Sequence, residues 1–378
     1  MSADSLLVNF FYAHPVGHVI EALHYAVGHH AADPDRPVAL ALNAASPTEL
    51  AGFCPAVSAA YPVEHPLLEA CPDSPDRLGA LAGEWGWVCD DFRRHQQVQT
   101  NLFPGLGDYY AACDQLLRPR RGRTVVGDIA AGYLPDQPVR LELTGPARDA
   151  ARRQLSGGRP RLALLPAGSS ERWLYPSIDS WLLVLDALHA AMPDLEVVLI
   201  GRSAHGERTA TSLDDSDHAR LLAHPTGPID GFDRDLAEQL ALVEACDVFL
   251  SPHSGFGMAA LAVETPWLTL SGGRWFEYFF NHVPFRSVLP DPDRWPSFTQ
   301  FDPAAVATDD DGTARTPSMS RARITHDLDR LVHAAVELID QRIDYDQALA
   351  DYFPALLAAH HGDPRAIWSI DAIHTTYI

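Results

Sequence analysis

Short apolar runs recur along the chain, each closed by Gly, Pro or a small polar residue and followed by apolar positions at helical spacing. The first is residues 8–12, followed by His-Pro-Val-Gly-His and then Val19, Ile20, Leu23 and Val27. That order predicts a strand, a tight loop and a helix. Residues 37–42 (PVALAL) predict a second strand, and 46–53 a short helix. Residues 75–117 are weakly periodic and rich in Trp, Tyr and Gly, which predicts helices and loops; 124–127 predicts a return strand. A charged helix over 146–155 leads into Ser-Gly-Gly-Arg-Pro at 156–160, the best linker in the chain.

Beyond the linker the alternation restarts. Strands are predicted at 161–166, 196–200, 248–250 and 267–270, with helices at 178–191, 236–246 and 257–263 between them. These strands are almost continuously apolar, the pattern of a parallel sheet covered on both faces. Residues 304–320 are polar and punctuated by Gly and Pro, a surface loop, and helix is predicted from 324 onward. A chain of 378 residues exceeds one ordinary core and suits two domains of about 150–200 residues. The expected division is 1–155, 156–343 and a helical tail over 344–378 that crosses back to the first domain.

No apolar run reaches the ~18 residues of a membrane span. The N-terminal apolar stretch lacks a preceding basic region, so it reads as a buried strand rather than a signal peptide. The net charge is −22, with 10 Arg against 18 Asp and Glu in residues 1–150 and 18 against 32 beyond. Two acidic halves argue against nucleic acid and against an anionic lipid surface. The short basic cluster Arg118, Arg120, Arg121 and Arg123 reads as a solvated loop. All 28 cationic side chains are Arg and none is Lys, which excludes a P-loop, a pyridoxal Schiff base and a lysine aldolase. Five cysteines without metal or redox spacing suit reduced thiols and a cytoplasmic setting.

Ligands of an open parallel sheet sit outside the carboxyl ends of its strands. Three loops therefore carry the chemistry. In the loop after the 161–166 strand, Gly168 permits close backbone approach, Ser169 and Ser170 offer hydroxyls, and Arg172 offers a fork of donors suited to phosphate. In the loop after the 248–250 strand, His253, Ser254, Gly255, Phe256 and Gly257 open a helix, whose N-terminal N–H groups and dipole favour an anion. Two such loops with an Arg between them suit a diphosphate. In the first loop of the chain, His18 sits where a helix dipole would keep an imidazole neutral, with His14 as its competitor.

These segments resemble the ADP-heptose–lipopolysaccharide heptosyltransferases and the wider GT-B glycosyltransferases. The carriers are LALLPAGSSERWLYPSIDSWLLVLDALHAAMPDLEVVLIG from 162, IDGFDRDLAEQLALVEACDVFLSP from 229 and HSGFGMAALAVETP from 253. The resemblance covers about 161–275 closely and 6–30 loosely. It implies a GT-B fold, two Rossmann-like domains facing a central cleft, with the nucleotide sugar as co-substrate on the second and no separate cofactor. Ser169 and Ser170 then fall on the family's phosphate-binding hydroxyls, Arg172 on its basic clamp, normally Lys, and Ser254 and Gly255 on its Gly-rich turn. His253, Met258, Glu264 and Thr265 depart from the family pattern. The family's early Gly-Asp, the source of its general base, corresponds to Gly17-His18.

The activity this implies is inverting, metal-independent glycosyl transfer from a nucleotide diphosphate sugar to a hydroxyl, His18 taking the proton. Trp85, Trp87, Asp90 and Tyr109 fall where such an enzyme would hold its acceptor, though simple core packing also accounts for the aromatics. An acidic first domain points to a soluble small-molecule acceptor, as in secondary metabolism. The alternatives are an epimerase or hydrolase of the same fold, or a non-catalytic nucleotide-sugar-binding subunit. No metal site is expected: the His29-His30 and His360-His361 pairs lack a third ligand, and Asp309-Asp310-Asp311 reads as a solvated loop.

Overall fold

The computed structural model describes residues 5–10, 15–64, the strand at 87–90, 132–134, 136–155, 157–158, 160–203, 209–272, 281–297 and 306–364. The chain divides into two compact units, Met1–Glu142 and Leu143–Ile378. The division falls before the Gly-Gly linker, because the helix preceding that linker belongs to the second unit.

The first unit holds a four-stranded parallel sheet in the order β3-β2-β1-β4, with β1 at Leu6–Phe10, β2 at Val38–Asn43, β3 at Ala59–Val63 and β4 at Trp87–Asp90. β1 and β2 are buried along their whole length, as their mainly apolar runs require, with Asn9 and Asn43 as the buried polar exceptions. The last two residues of the apolar run, Phe11 and Tyr12, lie outside the described residues. β3 was not legible, because AAYPV alternates weakly; among the described residues β3 is the sheet's edge, where its Pro62 is tolerated. β4 corrects the expectation of helices and loops over 75–117, at least at 87–90: its four residues are too short for periodicity to show, and pairing with β1 makes them a strand.

Helix α1 (Val16–Ala32) covers this sheet, and α2 (Glu49–Gly52) is a single turn. The segment 132–134 docks on α1, where the Leu134 N–H donates to the Gly28 carbonyl at 3.0 Å. A Cβ on Gly28 would stand 2.2 Å from the Tyr133 ring, so only glycine admits that contact. His29, fully buried beside Tyr133, lies with Nδ1 3.2 Å from the Gly132 carbonyl oxygen. Burial holds this imidazole's pKa down at about 4. The strand expected at 124–127 and the basic cluster of 118–123 lie outside the described residues.

The second unit begins with α3 (Gly145–Gln154), which packs on α6 (Leu236–Glu244) and is tied to it by Arg148 and Glu244. Its sheet is wholly parallel: β5 (Arg161–Leu164), β6 (Glu196–Leu199), β7 (Ile229–Asp230), β8 (Val248–Pro252), β9 (Trp267–Leu270) and β10 (Phe285–Val288), in the order β10-β9-β8-β5-β6-β7. The central strands are buried throughout except for Arg161 and Glu196, which pair at 3.1 Å. Both faces are covered. On one lie α4 (Ile178–Ala191) and α8 (Arg321–Ile339), packed together; α5 (Asp215–Leu222) packs beside α4. On the other, α7 (Gly255–Ala262) sets Phe256 against Phe249 of β8.

The described part of the tail is helical, as expected. Helix α9 (Tyr345–Ala359) packs on β10 of its own unit, with Tyr352 edge-on to Phe285 and Asp351 paired to Arg286 at 2.7 Å. An edge strand needs a cover, and the apolar face of α9 supplies one. The acidic run is exposed at Asp310 and Asp311, and all three of its carboxylates are paired. Asp309 and Asp311 pair with the buried Arg315 at 3.3 and 3.2 Å, and Asp310 pairs with Arg321 at 3.0 Å, around the hairpin of β11 (Ala307–Thr308) and β12 (Ala314–Arg315). Arg315 in turn donates to the Arg172 and Tyr175 carbonyls, so this hairpin braces the start of α4. No described helix is long and apolar enough to cross a membrane.

Candidate functional site

In the second unit the winding reverses between β5 and β8. From β5 the chain proceeds through β6 to β7 on one side, then returns to lay down β8, β9 and β10 on the other. Loops leaving two neighbouring strands in opposite directions open a crevice at their carboxyl ends, where doubly wound sheets bind ligands. The two loops singled out by sequence, 166–172 after β5 and 253–257 after β8, are the loops that flank it.

The first loop is rigidly supported. Trp181 of α4, fully buried, donates its indole N–H to the Pro166 carbonyl at 2.8 Å. The Ser212 N–H donates to the Gly168 carbonyl at 2.8 Å, and the Ser212 hydroxyl to the Ser170 carbonyl. The buried Tyr175 hydroxyl accepts the Ser170 N–H at 3.0 Å. Burial pushes this phenol's pKa up to about 12, so it stays protonated. A Cβ on Gly168 would lie 2.6 Å from that hydroxyl, so Gly168 is needed to admit Tyr175. Ser169 is exposed at the loop tip and Ser170 half-buried.

Arg172 follows in a 3₁₀ turn, Arg172–Leu174. Its guanidinium is not free. It donates to Asp214 at 3.0 Å and to Asp217, the N-cap and third residue of α5. The Asp217 N–H and then the Arg172 guanidinium hold the Asp214 carboxyl below the usual carboxylate range. The clamp expected from the sequence therefore faces two carboxylates in this structure.

In the second loop, Ser254 caps α7, its hydroxyl accepting the Gly257 N–H at 3.3 Å. The Gly257 N–H is thus occupied, which corrects the expectation that it stands open to a ligand. Gly257 has a packing role instead: a Cβ there would fall 2.1 Å from the Trp267 indole. The Trp267 indole N–H donates to Ser251 at 3.0 Å, and Ser251 lies 3.4 Å from the Ser254 hydroxyl. These contacts fix the mouth of α7 with the Gly255 and Phe256 N–H groups in its first turn, where helix geometry provides no intrahelical acceptor. His253 is half-buried, its ring 6.3 Å from Trp267. The departures from the family pattern also have structural roles. Met258 is core, Glu264 ends α7 in a left-handed conformation (φ 64°), and Thr265 donates to the Val243 carbonyl at 2.9 Å.

In the first unit the reversal falls between β1 and β4. His18 lies in the first turn of α1, half-buried, with Nε2 4.0 Å from the carboxylate of the buried Glu21. A carboxylate as well as the helix dipole therefore acts on this ring. Trp87 and Asp90 stand in register with Leu6 and Asn9, which puts Asp90 at the carboxyl end of β4 beside the reversal. His14, Trp85 and Tyr109 lie outside the described residues.

Sequence reasoning missed Tyr175, Trp181, Ser212, Asp214 and Asp217. The Asp-Asp-Ser-Asp run at 214–217 signals a helix start, but nothing local shows that it meets Arg172 some forty residues earlier in the chain.

A parallel, doubly wound sheet in each unit, with the second unit's reversal flanked by two anion-suited loops, is the architecture of GT-B proteins. The chain is similar in structure to a glycosyl transferase family 9 protein from Veillonella parvula, with a TM-score of 0.57 and 13% identity over 90% of this chain and 98% of that one. It also matches ADP-heptose LPS heptosyltransferase II of E. coli at a TM-score of 0.49 and 13% identity, over 87% of this chain and 98% of that one. The first of these likenesses shows a shared fold. No protein-family model and no curated protein matches the sequence.

Proposed function

We propose that the protein is a glycosyltransferase that moves a sugar from a nucleotide diphosphate donor to a hydroxyl of a soluble small molecule. The observation that carries this reading is the β5/β8 reversal, with the braced 166–172 loop and the capped mouth of α7 on neighbouring strands. A diphosphate bound there would be met by main-chain N–H groups, the Ser169 hydroxyl and the α7 dipole. The GT-B fold supports the reading, because a doubly wound sheet of this kind binds its ligand at the strand-order reversal.

In the reaction, the acceptor hydroxyl gives its proton to His18 as its oxygen attacks the anomeric carbon. The bond from that carbon to the diphosphate oxygen breaks with inversion, and the nucleoside diphosphate leaves. Positive potential at the mouth of α7 stabilises the leaving group without a metal. Trp87 and Asp90, with Trp85 and Tyr109, form the acceptor side, and the protein acts in the cytoplasm.

Titration calorimetry with nucleoside diphosphates and their sugars tests the donor site, and product analysis across soluble acceptors tests the chemistry. A diphosphate should bind, and turnover should require an acceptor, survive chelation of metals and fall by orders of magnitude in His18→Ala while donor binding persists. Free sugar without acceptor dependence would make the protein a hydrolase, and a changed stereocentre an epimerase. Donor binding without turnover on any acceptor would make it a binding subunit.

A further inference from the structure

We infer that Asp214 and Asp217 act as a built-in competitor for the donor's phosphates, holding Arg172 on the wrong side of β5 until a diphosphate draws it across. This inference rests on the donor-site reading above and adds a restraint on that site.

The argument begins with topology. β6 borders β5 on the side away from β8, and α5 follows β6 in the chain. The mouth of α7 follows β8. Pairing with Asp214 and Asp217 therefore draws the Arg172 guanidinium toward the β6 side, while the diphosphate crevice lies toward β8.

Charge gives the second step. One guanidinium faces two carboxylates, so the cluster carries net negative charge beside a site meant for an anion. The Asp214 carboxyl is held below its ordinary range, so it stays ionised at neutral and mildly acidic pH. The chain contains no Lys that could stand in for the clamp.

Exposure gives the third. Arg172 and Asp214 have 57% and 56% of their side chains exposed, although Asp217 has only 13%. Largely exposed ion pairs hold weakly, so a phosphate can outcompete them, and the competition costs the donor a modest factor in affinity rather than abolishing binding. The loop leaves Arg172 able to make that exchange. Its main chain is anchored by Arg315 on the Arg172 carbonyl, whereas among the described residues the guanidinium's hydrogen bonds go to the two aspartates.

The test is calorimetric titration of ADP, UDP and GDP into the wild-type chain and into Asp217→Asn, Asp214→Asn, Arg172→Ala and the Asp217→Asn/Arg172→Ala double variant. Asp214→Asn keeps the α5 cap, since Asn caps as well as Asp. For whichever diphosphate binds, each Asn variant should tighten Kd by roughly two- to fivefold. Arg172→Ala should weaken it, and the double variant should show no gain over Arg172→Ala alone. The corresponding nucleoside without phosphate should bind all variants alike. A merely structural role for the aspartates would lower thermal stability and leave Kd unchanged or weaker. That result, with wild type binding normally, overturns the inference alone. Absence of diphosphate binding in the wild type and in both Asn variants overturns the donor-site reading and this inference with it.

Discussion

Gly168→Ala isolates the support of the phosphate loop. The new Cβ would stand 2.6 Å from the Tyr175 hydroxyl, 3.2 Å from Cζ and 3.5 Å from Cε1. Alanine lowers the entropy of the unfolded chain and by that alone would stabilise by about 0.4–1 kcal/mol. Against this, forcing an atom into a packed site costs about 1–3 kcal/mol. Moving the hydroxyl also breaks its hydrogen bond from Ser170, a further loss of about 1 kcal/mol. The clash wins, and the net cost is about 2 kcal/mol. For a unit of this size that lowers Tm by roughly 4–8 °C.

Tyr175→Phe alone removes the hydrogen bond and costs about 1 kcal/mol. In the double variant the closest contact vanishes with the hydroxyl, leaving the 3.2 Å ring contact, which a small shift relieves. The double variant should therefore be little less stable than Tyr175→Phe, with a coupling of about 1–2 kcal/mol in denaturant unfolding. Simple additivity, or a Gly168→Ala variant within about 0.5 kcal/mol of wild type, would refute the account of why this loop carries glycine.

Acid should destabilise the first unit through its buried histidines. The pKa of His29 is about 4 in the fold against 6.5 when unfolded, so its contribution is complete above pH 6.5 and lost as pH falls from there toward 4. The loss reaches about 3 kcal/mol at the low end. His24, likewise held at about 4 by burial, adds to the same slope, so His29→Gln should reduce the pH dependence of unfolding without removing it. At the end of α7, Glu264 sits at φ 64°, where a side chain is strained. Thermal unfolding should rank Glu264→Gly at or above wild type and Glu264→Val below it by about 1 kcal/mol or more; a neutral Val variant would contradict the left-handed assignment.

The alternating runs from Arg161 to Leu270 determined most of the second unit by themselves. A parallel strand buried on both faces must be apolar almost throughout, and a helix covering it must repeat every three to four residues, so both leave their period in the sequence. The same logic located the two strand-end loops, because a chain leaving a strand for a helix needs Gly, Ser or Pro there. β4 and β3 were hidden, since four- and five-residue strands with mixed side chains acquire their identity only by pairing with β1 and β2.

Tertiary structure alone decided what the loop residues do. Gly168 and Gly257 look alike in sequence as phosphate-approach glycines, yet Tyr175 and Trp267 occupy the space beside them. Arg172 looks like a free clamp, yet α5 brings Asp214 and Asp217 to it. The α9 helix looks in sequence like any amphipathic helix, and only the fold shows that it covers β10. Local pattern records which face of an element is buried. Which partner occupies that face depends on how distant segments meet, and a single chain of letters does not encode those pairings locally.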